Sequence, residues 1–139
     1  MFADFLHSYY VHMPNKYSQD WQYGYKHAVL RTESLKDNYD EVIFSPIQGR
    51  AYIYVLWYGK YTPREFWEKG MMKKDAFGFY NVDAFDKYTF ASPSSFAHLT
   101  GKRVLYVGGP AEIPKDSHVL DKVNYLDGSV SYVIADNSK

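Results

Sequence analysis

Residues 18–46, SQDWQYGYKHAVLRTESLKDNYDEVIFSP, constrain the fold more than any other stretch of the chain. Trp21, Tyr25, Ala28, Val29, Thr32 and Leu35 recur at three- and four-residue steps, so they share one helical face. Gln22, Lys26, Arg31, Glu33 and Lys36 fall on the wet side. Ser18 stands where an N-cap belongs, because its side-chain oxygen can accept from an unpaired amide of the first turn. Asp20 then sets negative charge at the positive end of the helix dipole. Asp37 and Asn38 are turn formers, and EVIFS over 41–45 follows with β-branched and aromatic residues. A helix starting at Ser18, a polar turn and a short apolar strand make half of an α/β layer. Gly24 inside that helix costs about 1 kcal/mol against alanine, which points to close packing on a neighbour.

The rest of the chain reads as more of the same layering. Residues 6–12 are expected to form a strand ended by Pro14-Asn15, with a helix over 4–10 as the rival. As a strand, this segment would send His7 and His12 to opposite faces. The run AYIYVLWY is apolar on all sides, so its period cannot separate helix from buried strand. An α/β order wants a helix there, over 50–61. Thr62-Pro63-Arg64-Glu65 is a capping box with proline in the first helical position, and the short helix it opens ends at Gly70. Residues 71–75 read as polar and flexible, 77–80 and 87–90 as strands separated by 81–84, and Ser92-Pro93 as the start of a short helix through Leu99. A strand over 103–107 breaks at Gly108-Gly109-Pro110. Asp127-Gly128 between two β-rich runs, 119–126 and 130–135, is a hairpin signal. The fold class is therefore α/β: a layered, mixed β-sheet flanked by helices, with a C-terminal β-hairpin, in one domain spanning 1–139.

Composition bounds the chemistry. Sixteen Lys plus Arg balance sixteen Asp plus Glu, which leaves no electrostatic footprint for nucleic acid. There is no cysteine, so disulfides, thiolate catalysis and cysteine-bound zinc are excluded. Five scattered histidines without an H-x-x-x-H spacing argue against a metal site. No cofactor motif is present: G-x-G-x-x-G is absent, and no Lys or Ser/Thr follows the glycine pair at P-loop spacing. No apolar run approaches a bilayer span, and no leader opens the chain, so this stretch by itself is expected to be soluble. Its start looks like a position inside a longer protein. Fifteen Tyr, nine Phe and three Trp suit either a tyrosine-rich core with hydroxyls at its edge or a surface that is part apolar and part wet.

A few residues stand out as ligand-binding candidates. Gly108 and Gly109 follow a buried strand and could bring amides close to a phosphate or sugar, with Glu112 beside them. A tight exit turn needing positive φ is the plainer reading of the pair. Asp83 and Asp86, with Glu112 and Asp116, could supply paired carboxylates for glycoside chemistry if two faced one cleft; solvated loop acids are the ordinary alternative. Trp57, Tyr58, Tyr61, Phe66 and Trp67 cluster where the two middle helices meet. Trp57 is expected in the core. Tyr61 and Trp67 are candidates for a sugar-stacking or docking face. No serine sits in a nucleophile elbow.

Seven motifs in order carry a resemblance: FLHSYYVHMP, YSQDWQYGYKHAV, YDEVIFS, AYIYVLWYGKYTPREF, FGFYNVDAFDKYTF, VLYVGGPAEIP and VNYLDGSVSYVIAD. Together they cover nearly the whole chain and resemble the soluble domain that follows the membrane part of GT-C glycosyltransferases. The type is that of dolichyl-phosphate-mannose protein mannosyltransferases and aminoarabinose transferases. The resemblance implies a domain on the extracytoplasmic face of a multi-span enzyme that moves a sugar from a polyprenyl-phosphate carrier to an acceptor. Its partners would be its own transmembrane domain and, through it, the lipid-linked sugar or glycan acceptor. The acids that do the chemistry in that family lie in membrane-portion loops, so no catalytic residue carries over. The rival expectation is an independent secreted carbohydrate-binding module that uses surface aromatics.

Overall fold

The computed structural model describes residues 1–74, 76–96 and 101–138. Its centre is β1 (Glu41–Phe44), the predicted strand, which pairs in parallel with β4 (Tyr88–Thr89) on one side and β5 (Val104–Gly108) on the other. The sheet extends outward through antiparallel neighbours. On the β4 side come β3 (Tyr80–Phe85) and β2 (Gly70–Lys74); on the β5 side come β7 (Val130–Asp136) and β6 (His118–Asn124). The seven-stranded order is β2-β3-β4-β1-β5-β7-β6. This is the expected mixed sheet with helices and a C-terminal hairpin, in which Gly128 takes φ +87° at the turn.

Side-chain alternation divides the sheet into two faces. Val42, Phe44, Tyr88, Leu105, Val107, Tyr132 and Ile134 pack under α3 (Tyr25–Leu35) and α4 (Ala51–Tyr58), which contribute Tyr25, Ala28, Val29, Ala51 and Val55. Ile43, Val104 and Tyr106 face the other way, where Phe96 from a 3-10 turn and Ile113 from a loop partly cover them. The core is tyrosine-rich. Tyr25, Tyr88, Tyr106 and Tyr132 are all fully buried, and the Tyr25 ring stacks on Tyr54 at 4.0 Å between centroids.

Several elements differ from the sequence reading. The predicted helix begins at Tyr25, and Ser18–Gly24 form turns. Gly24 is its N-cap at φ +115°. Ser18 is buried and donates to the Asn15 carbonyl at 3.3 Å, so it caps nothing. Trp21, four residues before the helix begins, is 76 % exposed. The reason is non-local: a Cβ built on Gly24 would lie 2.5 Å from Ser131 Oγ of β7, so the chain must turn at glycine to pass that strand. Gly24→Ala is expected to destabilise by about 2 kcal/mol, from a residue forced to positive φ plus overpacking. Combining it with Ser131→Gly should recover the overpacking share and leave the φ share, which paired urea unfolding curves would read.

Residues 6–12 are helical, not a strand. α1 (Phe2–His7), a π-helical turn (Ser8–His12) and α2 (Met13–Tyr17) follow one another without a break. Phe5 and Tyr9 stack one turn apart at 5.9 Å. Pro14, which lacks an N–H, adjoins the widened turn. The His7 and His12 rings accordingly meet edge to face at 4.9 Å instead of pointing apart. Residues 71–74 belong to β2, and the strand expected over 77–80 runs instead through 80–85. The turn falls at Asp86, which has φ +52°. The helix expected from Ser92 is a 3-10 turn over Pro93–Phe96, and its remainder to Leu99 lies outside the described residues.

Candidate functional site

α4 and α5 (Pro63–Lys69) meet at an aromatic groove. Ala51 and Val55 are the α4 side chains fully buried against the sheet, Tyr54 and Tyr58 pack at the margin of that core, and Ile53 and Trp57 fall on the outer side. Trp57 is therefore 77 % exposed, contrary to the core position expected for it. The α5 start is the predicted capping box: Thr62 Oγ1 accepts from the Glu65 amide at 3.3 Å, and the Thr62 amide donates back to Glu65 Oε2 at 2.7 Å. Between the helices lies a groove of about 650 Å³ lined by Tyr54, Trp57, Tyr58, Tyr61, Pro63 and Phe66 among others. Its walls suit a flat apolar ring or sugar face. Trp67 is 68 % exposed and touches Phe66, but it does not line the groove.

Tyr61 is held from beneath. Its hydroxyl meets Lys36 Nζ and donates to Glu33 Oε1 at 3.2 Å; the same carboxylate oxygen accepts from Tyr88 at 2.6 Å, and Glu33 Oε2 pairs with Lys36 at 2.7 Å. Burial pushes the Tyr61 phenol up, with the nearby lysine pulling against it. Tyr88 is pushed further, by burial first and by its bond to Glu33 second. A neutral phenol pair on a carboxylate-ammonium bridge fixes ring orientation; no proton is poised for transfer near neutrality.

Gly108, Gly109 and Glu112 sit at the opposite, carboxyl end of the parallel strands. Neither glycine has positive φ, so the turn does not need glycine for that reason. Gly108 is small because a Cβ there would lie 3.0 Å from Pro93 Cγ and 3.2 Å from Glu112 Oε2. The Gly109 amide donates to Glu112 Oε2 at 3.0 Å. A carboxylate of the chain itself thus stands where a phosphate would have to bind. Beside this turn, β1 and β5 send their connections in opposite directions, the place where open α/β sheets form ligand crevices. Here a polar cluster occupies it. Gln48 donates to Tyr125 and Ser131, Tyr54 donates to Gln22, and Gln22 donates to the Gln48 carbonyl. The hydroxyls of Tyr25 and Tyr132 lie buried close together, and neither makes a hydrogen bond of standard geometry; the Gln48 side-chain oxygen is likewise unpaired. Burial raises Tyr25 to about 12. Sequence reasoning missed this cluster; the Gln48-Gly49 turn after β1 was its one visible sign.

A third concavity, about 1150 Å³, opens on the less covered sheet face and is lined by Tyr39, Asp40, Lys102, Arg103, Lys115, Asp116 and Asp136 among others. Asp136 is buried. Desolvation works against its charge, but hydrogen bonds from Ser138 and Tyr39 outweigh it and hold the carboxyl below its ordinary value. Asp116 belongs to this cleft, Glu112 closes on Gly109, and Asp83 and Asp86 are exposed on and after β3. The structure does not bring these four acids together. Nor does it join Tyr61 and Trp67 to the glycine pair, since the two regions lie at opposite ends of the sheet. Among the described residues no three His, Asp or Glu side chains converge as a metal-ligand set.

The N-terminal helical segment completes the picture. Not one of its residues is buried, and Phe2, Phe5, Tyr9, Tyr10, Val11, Met13 and Tyr17 are exposed. A groove of about 310 Å³ separates Tyr9, Tyr10 and Met13 from Trp21 and Leu126. Among the described residues, no helix is long and apolar enough to cross a membrane. No family model, curated protein or solved structure matches the chain.

Proposed function

We propose that this chain is the non-catalytic extracytoplasmic domain of a membrane glycosyltransferase of the GT-C type, seated on the membrane portion that performs sugar transfer from a polyprenyl-phosphate carrier. The observation that supports this reading is the segment Phe2–Tyr17: seven large apolar side chains on a helix that buries nothing in the domain. In water such a helix lacks the tertiary packing that supplies most helical stability. Against the greasy end of a membrane domain it would gain that packing. The groups that look chemical elsewhere are already satisfied internally, Glu112 by Gly109 and Glu33 by Lys36 and two tyrosines. The domain would then cover the membrane site or shape the acceptor entrance.

The test is photo-crosslinking in the intact gene product, with a crosslinker at Tyr9 and, as control, at Trp67. Adducts from Tyr9 to the membrane-spanning part are expected, and none from Trp67. A gene product without membrane spans, or sugar transfer by the isolated chain, would overturn the reading. The aromatic groove supports a second reading, a carbohydrate-binding module, because Trp57 offers an exposed ring above Tyr58 and Phe66. Glycan-array binding lost on Trp57→Ser and on Tyr61→Ala would favour it.

A further inference from the structure

The strand directions place a second set of exposed aromatics beside the N-terminal helix. Because β1, β4 and β5 are parallel and β3 and β7 run against them, one end of the sheet collects the exit of β1, the β2–β3 tip and the β6–β7 turn. Ile47, Phe77, Phe79, Tyr80 and Leu126 are all exposed there, Phe77 to 87 %. Trp21 joins them across the groove it shares with Tyr9, Tyr10 and Leu126. Trp57 and Trp67 lie toward the other end, since α4 runs back from the β1 exit and α5 leads into the start of β2.

Basic groups accompany these rings. Arg50 lies over the Phe79 ring at 5.5 Å, Lys74 over Tyr80 at 5.5 Å and Lys16 over Tyr17 at 5.4 Å; Lys73 is next to Lys74 on the same tip. Acids stand at this end as well: Asp127 accepts from Ser129, Asp4 pairs with the N-terminal amine, Glu112 accepts from Gly109, and Asp4, Asp20 and Asp127 are exposed. The β2–β3 tip thus sets Arg50, Lys73 and Lys74 beside the exposed rings of Phe77, Phe79 and Tyr80. Rings at headgroup depth with Lys and Arg beside them are the side-chain chemistry of a membrane–water boundary.

We infer that this end of the domain rests directly on the bilayer and takes anionic phospholipid headgroups, with Phe77 and Phe79 entering the boundary region and Lys73, Lys74 and Arg50 meeting phosphates. The inference rests on the membrane setting proposed above and adds an orientation to it. The three tryptophans are natural depth probes. With vesicles of phosphatidylglycerol in phosphatidylcholine carrying brominated chains, W57F/W67F, which retains Trp21, should be quenched, and W21F, which retains the other two, should not. Binding should weaken more than about ten-fold on K73E/K74E and on F77S/F79S, and should fall with added salt. All of these positions are exposed, and unchanged circular dichroism would confirm that the variants fold.

No binding to anionic vesicles, equal quenching of all three tryptophans, or indifference to the lysine and phenylalanine changes would each overturn the inference. If vesicles are ignored while Tyr9 still crosslinks to the membrane part, the lipid contact falls and the parent assignment stands. Vesicle binding by a chain whose gene encodes no membrane spans would do the reverse.

Discussion

Phe44→Ala is expected to lower the unfolding free energy by about 4 kcal/mol. Phe44 is fully buried at the middle of the sheet, with ring centroids 6.2 Å from Tyr25, 6.4 Å from Tyr88 and 5.7 Å from Tyr132. Its three aromatic neighbours come from a helix and two strands, and none can collapse into the space without leaving its own element. The loss therefore includes the transfer free energy of the ring, the residual cavity and aromatic pair terms of about 0.5–1.5 kcal/mol each. Urea unfolding should show a lower midpoint with an unchanged slope. Phe77→Ser, at an 87 % exposed ring, is the control and should stay within about 0.5 kcal/mol. A small effect for Phe44→Ala would mean that the tyrosine layer is loosely packed and that the helical face is not the core.

That layer was legible where the signal was local. Val42-Ile43-Phe44 reads as a strand because both its faces are buried, so it is apolar without alternation, and the chain keeps it between two parallel neighbours. Thr62-Pro63-Arg64-Glu65 carries its own cap, and Asp127-Gly128 its own turn, so neither depends on distant contacts. The start of α3 was not legible. Ser18 has the side chain of a cap and Gly24 reads as a helix-interior residue, but the helix starts after Gly24 because of Ser131, more than a hundred positions away. The β2–β3 boundaries failed for a similar reason: Val82 and Phe85 are both buried although three residues apart, across a register shift against Met71 and Met72 that the local pattern does not show.

The site followed the same division. That Trp57, Tyr58, Tyr61 and Phe66 would gather near one junction was readable from their spacing. Which of them faces water was not, because an all-apolar octapeptide has no preferred face until Ala51 and Val55 are chosen for their small size. The gathering of Phe77, Phe79, Ile47 and Trp21 at one end was invisible, since it comes from strand direction and not from sequence proximity. A glycine pair is likewise silent about whether its amides are free, and here Glu112 takes one of them.

Glu33→Ala is expected to cost about 3 kcal/mol, because it strands an ammonium and two hydroxyls at once. Glu33 and Lys36 side chains are 19 % and 15 % exposed, and the carboxylate serves Lys36, Tyr61 and Tyr88 together. Burial alone would lower the Lys36 pKa from its ordinary 10.5, but the bonds to Glu33 and Tyr61 overcome it and hold it higher. A lysine with a raised folded pKa stabilises fully below its unfolded value, and loses that contribution only as pH climbs through the folded one. The native protein should therefore show no stability loss from this pair between neutrality and about pH 9. In Glu33→Ala the burial effect is unopposed by the carboxylate, the folded pKa falls, and the unfolded chain binds the extra proton. Stability of the variant should then rise over that same interval, a reversal of slope that simple loss of packing cannot produce. Glu33→Leu with Lys36→Met removes both charges and should recover to within about 1 kcal/mol of the native protein. If Glu33→Ala proves neutral at pH 7, or its pH slope matches the parent's, Lys36 reaches water on its own and the bridge beneath Tyr61 does not hold the groove.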